Sequence, residues 1–156
     1  MNLVPTRRAF YTLTIITGMM GGLGYFTWTY AEGGSYFSND PRACANCHIM
    51  REYFDSWQKS SHHSRAACND CHTPHTLVAK YASKAENGLR HSWKFTFQSF
   101  AEPLRITPMN LDNLQENCVN CHAGLVRDIV GRDQHGVSTE KMCVHCHADV
   151  GHGARY

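Results

Sequence analysis

From Ala9 to Ala31 the chain carries no charged side chain, and apolar residues dominate the run. As a helix that stretch would extend about 34 Å, enough to cross a bilayer. Arg7 and Arg8 precede it and Glu32 follows it, so the positive-inside rule leaves the N-terminus in the cytoplasm and the remainder outside. Tyr25, Phe26, Trp28 and Tyr30 suit an interfacial aromatic belt. A cleaved signal peptide, the alternative, would end in small residues after a shorter apolar stretch. An uncleaved anchor is therefore expected. Gly18 and Gly22 form a Gly-x-x-x-Gly pair with Gly21 and Gly24 beside them. That pattern suits a helix–helix dimer face, although glycine is also simply tolerated in membrane helices.

Beyond the anchor the pattern changes. Glu32 to Pro41 is rich in Gly, Ser, Asn and Asp and reads as a linker. A helix is expected from Met50 to about Lys59. The clearest periodicity runs from Thr76 to Phe100, where Leu77, Tyr81, Ala85, Leu89 and Trp93 recur every four residues. Lys80, Lys84, Asn87 and His91 align on a different face of the same helix. Pro103 and Pro108 bracket a loop, and another helical run begins at Leu111. No strand or hairpin signal stands out. The expected fold is mainly α with extensive loops: residues 1–8 cytoplasmic, 9–31 a transmembrane anchor, 32–41 a linker and 42–156 one small extramembrane domain.

Apolar residues in that domain are too sparse and irregular for a conventional core, and the cysteines suggest what replaces it. All eight fall in four Cys-x-x-Cys-His motifs: Cys44–Cys47–His48, Cys68–Cys71–His72, Cys118–Cys121–His122 and Cys143–Cys146–His147. Two thiols at this spacing can reach both vinyl groups of one haem, and the adjoining histidine can bind the iron. Tetrathiolate zinc sites would give no reason for a histidine after every second cysteine. Disulfide scaffolds rarely repeat one spacing four times. The reading is a multihaem c-type cytochrome with four covalently bound haem c groups forming the core. Haem attachment of this kind belongs to the outer face of the bacterial inner membrane, which places residues 42–156 in the periplasm. Motif starts are 24 positions apart in the first pair and 25 in the second, a spacing that could record an internal duplication, although the surrounding sequences do not repeat. The formal charge of +2 would be offset by up to eight haem propionates, so it supports no nucleic-acid partner.

Four of the eleven histidines sit in the motifs, leaving His62, His63, His75, His91, His135, His145 and His152 as candidates for the far sides of the irons. Electron-transfer haems are usually six-coordinate, yet seven candidates exceed the positions to be filled. His145, inside a Cys-x-x-Cys loop, is awkwardly placed. Met50, two residues after His48, could be a ligand or a methionine packed on a haem.

The surroundings of the motifs are more specific than the motifs. Cys-His-Ile-Met at 47–50, Cys-Asn-Asp-Cys-His-Thr-Pro-His at 68–75 and Cys-His-Ala-Asp-Val-Gly-His at 146–152 resemble the NapC/NirT family of membrane-anchored tetrahaem quinol dehydrogenases. The short spacing between the second and third motifs is similar to its short branch, the small subunits of cytochrome c nitrite reductases. The resemblance implies that Met50 replaces His48 as axial ligand of the first haem. It implies His72, His122 and His147 as proximal ligands of the other three, His63 as the distal ligand of the fourth and His152 as that of the third. In some relatives the second haem takes a lysine from the partner subunit. Lys84 and His91 match positions near the first haem where quinol binds, and His91 could instead bind that iron.

The resemblance further implies menaquinol as substrate and a pentahaem catalytic subunit, reducing nitrite to ammonium, as partner. A homodimer within a larger complex is a further expectation. Quinol oxidation needs a base within hydrogen-bond reach of the hydroxyl. His91 can accept a proton near neutral pH, and Lys84 could stabilise a developing quinolate. The competing description of that face is a solvated side of an amphipathic helix. Two rival functions remain: a tethered electron relay without a quinol site, and a quinol dehydrogenase feeding another periplasmic reductase.

Overall fold

The computed structural model describes residues 6–126, 132–133, 136–137 and 142–153. Met1 to Pro5 of the expected cytoplasmic segment and His135 lie outside the described residues. The chain divides into two compact units, Met1–Ser38 and Asn39–Tyr156.

The first unit is built on α1 (Arg7–Tyr30), capped by the Thr6 hydroxyl, which accepts from the Ala9 N–H at 3.4 Å. The Thr14 and Thr29 hydroxyls donate back to the carbonyls of Phe10 (3.0 Å) and Tyr25 (2.8 Å). Their hydrogen bonding is thus closed inside the helix, as an apolar surrounding would require. Every residue of α1 is exposed. Among the described residues no helix is long and apolar enough to cross a membrane. The expected span at 9–31 does form a helix of 24 residues, but its four glycines and five threonines dilute its hydropathy. After Tyr30 the chain folds back through a 3-10 turn, Gly33–Phe37, with Glu32 at φ 49°. Gly33 lies against the Trp28 ring, where a Cβ would stand 2.5 Å from the indole carbons; only glycine fits that approach.

The second unit is a set of helices joined by loops. Asp40 caps α2 (Pro41–Cys44) by accepting from the Arg42 N–H at 2.9 Å, with proline at the first helical position. A 3-10 turn, His48–Met50, leads into α3 (Arg51–Gln58). The Asp70 carboxylate accepts from the Ala67 N–H at 2.9 Å and so opens α4 (Cys68–His72). The long helix α5 (Leu77–Thr96) and then α6 (Pro108–Cys121) follow, the latter capped by Thr107. After α7 (Ala123–Val126) come β1 (Arg132–Asp133) and β2 (Gly136–Val137), paired antiparallel with Arg132 opposite Val137. A last 3-10 turn spans Cys143–His145. The architecture is mainly helical, as expected, with this two-residue pair as an addition that no sequence pattern announced.

The interior is unusual. Among the described residues the buried hydrophobic side chains reduce to Val119, whereas Asn69, Thr73, Ser83, Lys84, Gln115 and Asn117 are all buried. The apolar stripe of α5 faces outward: Leu77 is 72% exposed, Leu89 75% and Trp93 64%. The opposite face, carrying Lys84 and Asn87, is the one turned inward. There Asn87 and Asn110 exchange reciprocal amide hydrogen bonds of 3.1 and 2.8 Å, joining α5 to α6. The described residues alone do not supply an apolar core.

Candidate haem-attachment and electron-transfer site

All eight cysteines are free thiols, and those of consecutive motifs are neighbours. The Cys68 thiol donates to Cys44, drawing the Cys44 pKa down to about 7 against the opposing effect of burial, while that of Cys68 is pushed well up. Burial raises Cys71, with Asp70 and then Cys121 adding to it. Burial raises Cys118 to about 11, and the adjacent Cys143 and Cys71 contribute. The first motif thus meets the second, the second the third and the third the fourth. Among the described residues no group of three or more His, Cys, Asp or Glu converges as a metal site.

Haem needs two opposed ligands rather than a converging set, and two histidine pairs have that form. Imidazoles bonded to one metal from opposite sides, at about 2 Å per bond, place their ring centroids roughly 6 Å apart. His72 and His152 stand 5.9 Å apart with planes 12° from parallel. His62 and His122 stand 6.1 Å apart at 74°. Burial lowers the His72 pKa to about 4, aided by His152, and burial also lowers that of His152. Both rings are therefore neutral at pH 7, the form that binds a metal. His152 Nδ1 is buried without a hydrogen-bond partner, a group left for something the protein itself does not provide. The chain's residues fit haem: free thiols, imidazoles paired at about 6 Å, an orphaned ring nitrogen and, among the described residues, almost no buried apolar side chain.

The remaining sequence candidates are placed as follows. His63 packs edge-on to Trp57 at 4.8 Å, and the Trp57 indole N–H donates to the Ala66 carbonyl at 3.0 Å. Met50 is half-buried, whereas His48 and His147 are exposed. His75 contacts the Asp70 carbonyl at 3.1 Å. The resemblance gives His152 to the third haem; in the structure its ring lies 5.9 Å from that of His72 in the second motif, and His62 lies 6.1 Å from His122.

Lys84 is buried, 9% exposed, with its ammonium 5.9 Å from the centroid of the Tyr81 ring. Burial and then Lys80 lower its pKa, with Cys44 acting in the opposite sense, so Lys84 lies within electrostatic reach of the first motif. His91 is seven positions further along α5, on the same face. His91 is exposed by accessible surface, yet desolvation by the surrounding chain and then Arg90 lower its pKa below 6.5, leaving it neutral and able to accept a proton at pH 7.

Sequence reasoning missed Asn87, Gln115 and Asn117 as structural residues of the site. Polar residues on a helix ordinarily read as solvated, and burial of amides leaves no periodic signal.

These features define a multihaem c-type cytochrome, and the comparisons with known proteins agree. A model of the NapC/NirT cytochrome c family, N-terminal region, matches residues 5–155, and the chain belongs to that family. It is 36% identical to the cytochrome c-type protein NrfH of Wolinella succinogenes, over 92% of this chain and 85% of that protein. It is 31% identical to the cytochrome c nitrite reductase subunit NrfH of Nitratidesulfovibrio vulgaris, over 80% and 74%. It is 32% identical to the cytochrome c-type protein NapC of Escherichia coli K12, over 95% and 84%. Among solved structures, a chain of the cytochrome c nitrite reductase NrfHA complex bound to the HQNO inhibitor superposes with a TM-score of 0.60. It shares 27% identity, with 90% of each chain covered.

Proposed function

We propose that this protein is a membrane-anchored tetrahaem quinol dehydrogenase that oxidises menaquinol and delivers electrons to a periplasmic pentahaem nitrite reductase. The observation that carries the reading is the adjacency of consecutive motifs, with buried Lys84 within electrostatic reach of the first. Relatives whose names assign them to cytochrome c nitrite reductase support the partner.

The thiols of Cys44 and Cys47, Cys68 and Cys71, Cys118 and Cys121, and Cys143 and Cys146 would each hold one haem. Met50 would serve the first iron. His72 with His152 and His122 with His62 would serve the second and third, as the ring distances favour. His147 with His63 would serve the fourth, as the family resemblance implies. Bound haems accept and pass electrons one at a time. Lys84 would bind the quinol head group and favour its anionic form. His91, neutral at pH 7, would take up the hydroxyl proton. The pairing of a buried cation with a neutral base on one helix face separates those two tasks.

The anchor would be α1, single-pass through the inner membrane with Arg7 and Arg8 on the cytoplasmic side. A Cβ on Gly18, Gly21, Gly22 or Gly24 would meet nothing within 4 Å, an open strip suited to a second helix in a homodimer. The test is to reconstitute the full-length holoprotein with a pentahaem nitrite reductase in liposomes and follow menaquinol-driven nitrite consumption. Nitrite loss that requires both proteins is expected. Full haem reduction by menaquinol without any nitrite loss would exclude the partner assignment.

A further inference from the structure

Gln115 and Asn117 are the most enclosed of the described residues, at 4% and 5% exposure. Both lie in the last turns of α6, the helix that carries the third attachment motif from Cys118. Asn117 Nδ2 donates to the carbonyls of Cys71 (3.0 Å) and Thr73 (2.9 Å), which flank His72 at the end of the second motif. Because both partners are carbonyl oxygens, the amino end of the amide must face them. Gln115 plays the complementary part: its Oε1 accepts from the backbone N–H of Cys143, the first residue of the fourth motif, at 2.9 Å. Within one helical turn, two side chains thus tie the backbones of two other motifs to the helix that bears the third.

Helix packing alone would not need amides here. Burying them is unfavourable unless their hydrogen bonds are made with good geometry, and that requirement makes them register devices rather than sources of stability. The proximity of Cys118 to both Cys143 and Cys71 shows what the register controls: the separation between attachment points in neighbouring motifs.

We infer that Asn117 and Gln115 are positioning residues that fix the second and fourth haem-attachment motifs against the third and so set the environment of their redox centres. The inference rests on the tetrahaem reading above. Their chemistry differs in a way that can be tested, since position 117 must donate and position 115 must accept.

The experiment compares full-length wild type, Asn117→Leu, Gln115→Leu and Gln115→Glu. Covalent haem is counted by intact mass, and the haems are characterised by EPR g-values and a spectroelectrochemical titration. Asn117→Leu and Gln115→Leu are expected to keep the wild-type haem count while shifting g-values and midpoint potentials. Gln115→Glu retains an acceptor oxygen for Cys143 and is expected to keep the wild-type g-values, while its buried carboxyl shifts the midpoint potentials. Fully loaded Leu variants with wild-type spectra and titration curves would overturn the proposal. So would Gln115→Glu showing the g-values of Gln115→Leu. If Asn117→Leu accumulates without haem, the Gln115 pair decides by the same criteria. A wild type carrying no covalent haem would overturn the tetrahaem reading and this inference with it, whereas the variant results bear on the inference alone.

Discussion

Replacing His62 by alanine isolates one proposed iron ligand from its neighbour His63. The His62 ring centroid lies 6.1 Å from that of His122, against roughly 6 Å for two imidazoles sharing one metal. His62 Nδ1 sits 3.1 Å from the Val150 carbonyl. A carbonyl only accepts, so Nδ1 carries the proton and Nε2 keeps the lone pair that a metal requires. The lost hydrogen bond contributes about 1 kcal/mol, roughly 4 °C in Tm, so the variant should still fold and mature. The larger effect would be electronic: of the three haems assigned two axial ligands, one would lose a nitrogen and turn high-spin, removing about a third of the low-spin EPR intensity. Added imidazole should enter the space left and restore it. His75→Ala serves as the control, since His75 contacts the Asp70 carbonyl and is assigned to no haem. A His62→Ala holoprotein that retains every low-spin signal would refute the pairing and the use of ring separation to find it.

Three further outcomes are expected. Asn87→Ala removes two reciprocal amide bonds between α5 and α6, costing about 2 kcal/mol; in a thermal double-mutant cycle Asn110→Ala should add little to it. The quinol-driven rate should fall as pH drops through the His91 pKa, which desolvation and Arg90 hold below 6.5. The neutral base is present above that pKa and lost below it, so Arg90→Gln, which removes a like charge, should move this acid limb to higher pH in stopped-flow rates. Lys84→Met removes a buried ammonium. It should slow quinol-driven reduction by about 100- to 1,000-fold, the scale of one lost electrostatic donor.

How much of this was legible beforehand varied with the physics behind each element. Periodicity placed α5 within a few residues of its observed span, 77–96 against 76–100, and the run expected from Leu111 begins earlier, at Pro108 behind the Thr107 cap. Which face of α5 turns inward was not legible. Amphipathic patterns assume that apolar residues seek the interior, and here Lys84 is enclosed while Leu89 and Trp93 are exposed. The rule presumes a protein core, and this chain is organised around attachment motifs instead. Cofactor chemistry was legible because Cys-x-x-Cys-His is local in sequence. Pairings such as His62 with His122, 60 positions apart, depend on long-range packing that carries no local signal. The amides of α6 were hidden for the same reason, since a buried Asn and a solvated one read alike.

The central claim is that electrons enter this chain from a quinol at the α5 face. Rapid mixing of the detergent-solubilised holoprotein with a menaquinol analogue, following the haem α band in wild type and His91→Ala, tests it most directly. Fast reduction of the wild type that collapses in the variant is the expected result. A wild type that dithionite reduces fully but the quinol does not reduce at all would contradict the account and leave a tethered electron relay.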